Sequence, residues 1–218
     1  MKTGAGTDSR LRGWLLLLVA AAIGWFYFWT ATSSGQGKGF QIVGLDYYNL
    51  QTDGFLAGQL SLKYAGDPGI AQLKDPYDPA QNAPYRVMDM SYYHGRYYIY
   101  FGPTPVLLLF APWRLLTGFA LPSHLAAFAF AVAGYGVALW LLARLRRVHF
   151  PQVGAPALAF AALMLGLASM APALLRRPAV YEVAIACAYF LVMVTFWSRH
   201  CALLARRLAE RDVRFVQI

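Results

Sequence analysis

The chain has 218 residues, 59% of them hydrophobic and only 13% charged, with 19 Lys and Arg against 10 Asp and Glu for a formal net charge of +9. A charged fraction about half that of an ordinary soluble domain leaves the apolar excess no way to avoid water, which points to an integral membrane protein. The basic residues flank apolar runs and form no stripe on a polar domain, so the charge speaks for membrane topology and against nucleic-acid binding.

Residues 1–12 form a tail carrying Lys2, Arg10 and Arg12. Residues 13–32 follow as an apolar run close to the ~20 residues that a spanning helix needs. Its bulky end, Trp25-Phe26-Tyr27-Phe28-Trp29, and the poor cleavage site at Ala31-Thr32-Ser33 read as an uncleaved anchor with an interfacial aromatic belt rather than a signal peptide. A long loop, 33–120, leads to three more apolar runs at 121–143, 153–175 and 179–198, and a basic tail at 199–218 closes the chain. A shorter apolar stretch, 105–116, contains Pro112 and Arg114 and is too short to span, which predicts an interfacial or re-entrant helix. Cys187 and Cys201, fourteen positions apart on one expected helix, are separated by roughly 21 Å of rise and cannot bridge each other.

Charge counting sets the expected topology. With four spans, the two tails and the 144–152 connection hold eleven of the nineteen Lys and Arg residues against three acids, and the other side is nearly neutral. The positive-inside rule then places both termini in the cytoplasm of a plasma (inner) membrane protein and the 33–120 loop outside. The expected fold class is all-α integral membrane, four helices crossing the bilayer, with amphipathic helices and a short β-hairpin in the large outer loop. Small residues in the second span, Ala126, Ala127, Ala129, Ala131, Ala133, Gly134 and Gly136, favour close helix packing, within the chain or against partner membrane subunits.

The polar chemistry gathers in the outer loop. Asp46 opens a segment, 46–60, that reads as an amphipathic helix with Asp46 as its N-cap and Tyr48, Phe55, Leu56 and Leu60 on one face. Gly54 and Gly58, four residues apart, would let another backbone approach. Gly66-Asp67-Pro68-Gly69 and Asp75-Pro76-Tyr77-Asp78-Pro79 read as turns, and Asp75 and Asp78 could share a divalent cation or bind sugar hydroxyls. Two aromatic, β-prone runs containing Tyr92, Tyr93, Arg96 and Tyr100 flank His94-Gly95, a hairpin turn in which Gly supplies a positive φ. Such aromatics either anchor in the headgroup layer or stack on a sugar or isoprenoid. Between the last two runs, Arg176-Arg177-Pro178-Ala179-Val180-Tyr181-Glu182 combines forked phosphate-binding donors with an acid near the hydrocarbon, either a site or a locally paired turn.

The acid soon after the first span, the long outer loop, Phe101-Gly102-Pro103-Thr104-Pro105 before the second span and Arg177-Pro178-Ala179-Val180-Tyr181-Glu182 opening the last one resemble the N-terminal part of the GT-C membrane glycosyltransferases, in particular bacterial relatives of the dolichyl-phosphate-mannose-protein mannosyltransferases. The likeness covers most of 44–190 and rests on layout more than on invariant residues. It implies transfer of a sugar from a polyprenyl-phosphate donor at the outer face, with inversion at the anomeric carbon. Asp46 is the position that matches the family's general base, with Asp53 next. The resemblance further implies donor contacts from Arg176, Arg177, Tyr181 and Glu182 and from the aromatic hairpin, and a divalent ion or orienting contact at Asp75, Asp78 or Glu182. Family members carry many more spans, so on this likeness the chain is expected to be a fragment, a short relative that needs a partner, or a non-catalytic remnant.

Overall fold

The computed structural model describes residues 4–33, 41–42 and 44–197. The expected basic tail at 199–218, and Cys201 with it, lies outside these residues. The chain is mostly helical, with three helices long and apolar enough to cross a membrane and one small two-stranded sheet.

The first helix, α1, runs Gly4–Ser33 and includes the spanning stretch Gly13–Ser33. The second and third long apolar helices are α5, Ser123–His149, and α8, Val180–Trp197. At ~1.5 Å per residue α5 reaches about 40 Å and α8 about 27 Å, matching a hydrocarbon core of ~30 Å. The remaining expected span, 153–175, forms a helix pair: α6, Ala155–Leu167, and α7, Ala171–Arg176, separated at Ala168-Ser169-Met170. Pro172 cannot donate a backbone hydrogen bond, which favours a restart over continuation of α6. The thirteen residues of α6 rise only about 20 Å.

Tyrosines from neighbouring helices meet the backbone of α6, one of them just before this break. Tyr27 of α1 donates to Gly166 O at 2.7 Å, and Tyr135 of α5 donates to Ala162 O at 2.9 Å. α1 packs on α5, α6 and α7, while α5 makes its most extensive contact with α8. The small residues of α5 serve that packing: Ala126, Ala127, Ala131 and Gly134 are buried. A Cβ at Gly134 would come within 2.5 Å of the Tyr189 ring, so glycine is what lets α8 lie so close. Gly136, by contrast, is exposed with open space around it.

The outer segment adds α2, Tyr47–Leu56, a 3-10 helix at Pro68–Gln72, and the short α3, Pro79–Asn82. The hairpin pairs β1, Met90–Tyr93, with β2, Arg96–Ile99, in antiparallel register. His94 at φ 47 and Gly95 at φ 76 form its turn, so both central residues, not the glycine alone, adopt the left-handed conformation that matches strand twist. The expected interfacial helix is a π-helical turn, Val106–Phe110, running into α4, Ala111–Thr117. Val106 and Phe110 are buried, while Leu107, Leu115 and Leu116 stay exposed as a lipid-facing edge would.

α2 corrects the expected amphipathic pattern. Its buried face is Tyr48, Asn49, Gln51, Thr52 and Gly54, whereas Leu56 and Leu60 are exposed. Asn49 lies inward because it bonds the loop backbone: its Nδ2 donates to Leu121 O at 2.7 Å, and Leu121 N–H donates to its Oδ1 at 3.3 Å, while Thr52 donates within the helix to Tyr48 O. Gly54 does meet another backbone, since its Cβ would fall 2.2 Å from Ser61 O. Gly58 instead closes the helix at φ +75 with open space around it.

Candidate functional site

Three helices begin at one cavity of about 340 Å³. Its wall includes Asp46 and Tyr47 at the start of α2, Pro122, Ser123 and His124 at the start of α5, and Pro178, Ala179 and Val180 at the start of α8. Ile42, Gly44, Leu45 and Asp89 complete it. Helix N-termini present backbone N–H groups without intrahelical partners and a partial positive charge. In α8 the first intrahelical donor is Val183, to Ala179 O, so the N–H groups of Val180, Tyr181 and Glu182 precede the ladder. Helix starts of this kind favour a negative group, and the chamber already holds two carboxyls, Asp46 and Asp89.

Asp46 caps α2 as expected, accepting from Asn49 N–H at 3.3 Å. Its other oxygen accepts from Ser123 N–H at 3.2 Å and Ser123 Oγ at 3.0 Å, which ties α2 to the start of α5. Burial pushes the Asp46 carboxyl above the usual carboxylate range, against the opposing pull of the Asn49 and Ser123 hydrogen bonds. One carboxylate is thus both a structural cap and a desolvated group lining the cavity. Asp53, the other expected base, pairs with Arg114 of α4 at 2.9 Å and does not line the cavity.

Asp89 is the residue that sequence reasoning passed over. It sits just before β1 at φ 60, a conformation uncommon for any residue but glycine and most tolerated by Asn and Asp. Its Oδ1 accepts from Tyr100 Oη at 2.9 Å and from Tyr181 Oη at 3.0 Å, and the two hydroxyls also contact each other. Phe101 packs edge-on against Tyr181 with ring centroids 4.6 Å apart. Tyr47 donates to Met88 O at 2.8 Å and so fixes the backbone one residue before Asp89. The end of the hairpin and the start of α8 are joined through this carboxylate. An Asp preceding an aromatic strand was the only local signal.

The other expected site residues divide. Arg176 and Arg177 are exposed at the end of α7, directly before the Pro178-Ala179-Val180 wall, and among the described residues neither forms an ion pair with Glu182. Glu182 lies in the first turn of α8, and its Oε2 is buried with no hydrogen-bond partner among the described residues. Tyr92 stacks on Tyr97 at 5.2 Å in a separate small core with Leu62 and Ile70, while Tyr93 and Arg96 pair across the hairpin turn; none of the three lines the cavity. Asp75 accepts from Tyr77 N–H, and Asp78 caps α3, accepting from Ala80 N–H and Gln81. Those bonds, the Ala80 one foremost, hold the Asp78 carboxyl below its usual range. Among the described residues no three His, Cys, Asp or Glu side chains gather as a metal set, so the ion expected at Asp75, Asp78 or Glu182 has no ready ligand cluster there.

The class these features define is a membrane protein with an acidic cavity where loop and helix starts meet. No family model matches the chain, and no curated protein or solved structure is significantly similar to it.

Proposed function

We propose that this chain is a GT-C-like glycosyltransferase unit that moves a sugar from a polyprenyl-phosphate donor to an acceptor hydroxyl at the outer face of the plasma membrane. The observation that carries the reading is Asp46: a carboxylate with a raised pKa, in a cavity walled by the starts of α5 and α8. A general base works best with a pKa brought toward the operating pH and a hydroxyl within hydrogen-bond reach. Asp46 takes the acceptor proton, the freed oxygen attacks the anomeric carbon, and the bond from that carbon to the phosphate oxygen breaks. The polyprenyl phosphate leaves with both electrons of that bond. Arg176, Arg177 and the leading N–H groups of α8 offset its charge. In the proposed topology α1, α5, the α6–α7 pair and α8 are the four crossings, and both termini are cytoplasmic.

Asp46→Asn is expected to abolish sugar transfer from a polyprenyl-phosphate donor while membrane insertion is unchanged, read by a transfer assay on reconstituted protein. Transfer at the wild-type rate would remove Asp46 from the mechanism.

A second reading, a non-catalytic membrane protein that binds lipid or assembles with other membrane subunits, is favoured by the full use of Asp46 as a cap and tie, and by the large side chains Trp14, Leu17, Leu18, Trp25 and Trp29 that α1 leaves exposed. Stable co-purification with another membrane protein, together with failure to hold a polyprenyl phosphate, would select it.

A further inference from the structure

We propose that Asp89, with the hydroxyls of Tyr100 and Tyr181, forms the subsite that recognises hydroxyl groups of the donor sugar; this rests on the glycosyltransferase reading. Two phenols supply two donors, and both contact one carboxylate oxygen, Asp89 Oδ1. Whether each donates to Asp89 or one donates to the other, the cluster holds more lone pairs than protons. Asp89 Oδ2 has no hydrogen bond to any described side chain or backbone group in the cluster, and the phenol oxygens keep lone pairs of their own. A cluster with surplus acceptors recognises donors, and adjacent sugar hydroxyls are donors of that kind.

The surroundings fit a sugar. Asp89 lines the cavity that also holds Asp46, so a ligand bound by Asp89 stands near the proposed base. Tyr100 and Tyr181 are 59% and 45% exposed; neither lines the cavity itself, and both join it through Asp89. Phe101 backs Tyr181, giving the subsite a rigid aromatic wall. The left-handed backbone at Asp89 costs conformational energy for a non-glycine residue and is retained where its side chain must be aimed. Tyr181 belongs to the first turn of α8, next to Val180 of the cavity wall, so phosphate and sugar would be read by neighbouring parts of one helix start.

The experiment separates this inference from the function it rests on. Full-length protein in lipid nanodiscs is titrated with farnesyl phosphate and with its mannosyl, glucosyl and arabinosyl esters, for the wild type and for Asp89→Asn, Tyr100→Phe, Tyr181→Phe and Asp46→Asn. Wild type is expected to bind at least one ester about tenfold more tightly than farnesyl phosphate, the size of effect given by one or two hydrogen bonds to a charged group. Asp89→Asn is expected to erase that gain while affinity for farnesyl phosphate stays within about twofold, and each phenylalanine variant to lose part of it. Asp46→Asn is expected to keep the gain. The inference is overturned if Asp89→Asn keeps the full preference, or, should that variant fail to fold, if both phenylalanine variants keep it. A wild type that binds every ester no better than farnesyl phosphate also overturns it, while the phosphate-binding part of the reading survives. A wild type that binds none of these compounds removes the glycosyltransferase reading itself.

Discussion

At the scale of single residues, two carboxylates in one cavity do different work because their surroundings differ. Asp46 is desolvated and its carboxyl is raised; Asp89 anchors two phenols through one oxygen. A carboxyl with a higher pKa in the folded chain binds its proton more tightly there than in the unfolded chain. Its stabilising contribution is therefore complete below the unfolded value near ~4 and is lost as pH rises through the folded value. As pH rises through that window, thermal stability in detergent is expected to decline, and under the proposed mechanism sugar transfer is expected to rise as Asp46 ionises. Asp46→Asn should flatten the stability change. Identical stability profiles for the two proteins would place the titration elsewhere. Asp46 was legible from sequence because N-capping is a local pattern. Asp89 was not, since its partners Tyr100 and Tyr181 lie 11 and 92 positions away.

At the scale of elements, α2 shows where periodicity misleads. Apolar spacing pointed to Leu56 and Leu60 as buried along with Tyr48, yet beside Tyr48 the buried face carries polar side chains, of which Asn49 closes the backbone of Leu121. Asn49→Ala would leave both the N–H and the carbonyl of Leu121 without their partner, costing roughly 1–3 kcal/mol for each group that remains buried. A substantially lower melting temperature is expected for this variant, against a negligible change for Leu60→Ala at an exposed position. Equal shifts in the two variants would show that the Asn49 clasp contributes nothing. The hairpin and the short helix before α5 were readable, because turn residues act within a few positions, and the turns read at Asp67 and Asp78 are the N-caps of a 3-10 helix and of α3. The break between α6 and α7 was hidden within a continuous apolar run: hydropathy registers composition, while Pro172 and the packing of α1 on both pieces decide where the helix stops.

At the scale of the whole molecule, the three long apolar helices and the charge asymmetry bear on different questions. The helices establish a membrane protein; the distribution of Lys and Arg is the argument for its orientation. A reporter fused after Arg147 is expected on the cytoplasmic side, and a reporter found outside would reverse the proposed topology and move the Asp46 cavity to the inner face. Sequence alone determined the class of protein, the positions of α1, α5 and α8, the Asp46 cap and the hairpin, because each depends on composition or on residues close in the chain. Only the tertiary structure decided that the starts of α2, α5 and α8 meet at one cavity, that Asp53 is engaged by Arg114 while Asp46 faces open space, and that Asp89 draws together the hairpin and α8. Those outcomes depend on which helices pack against which, and residues separated by dozens of positions become neighbours only after that packing is settled.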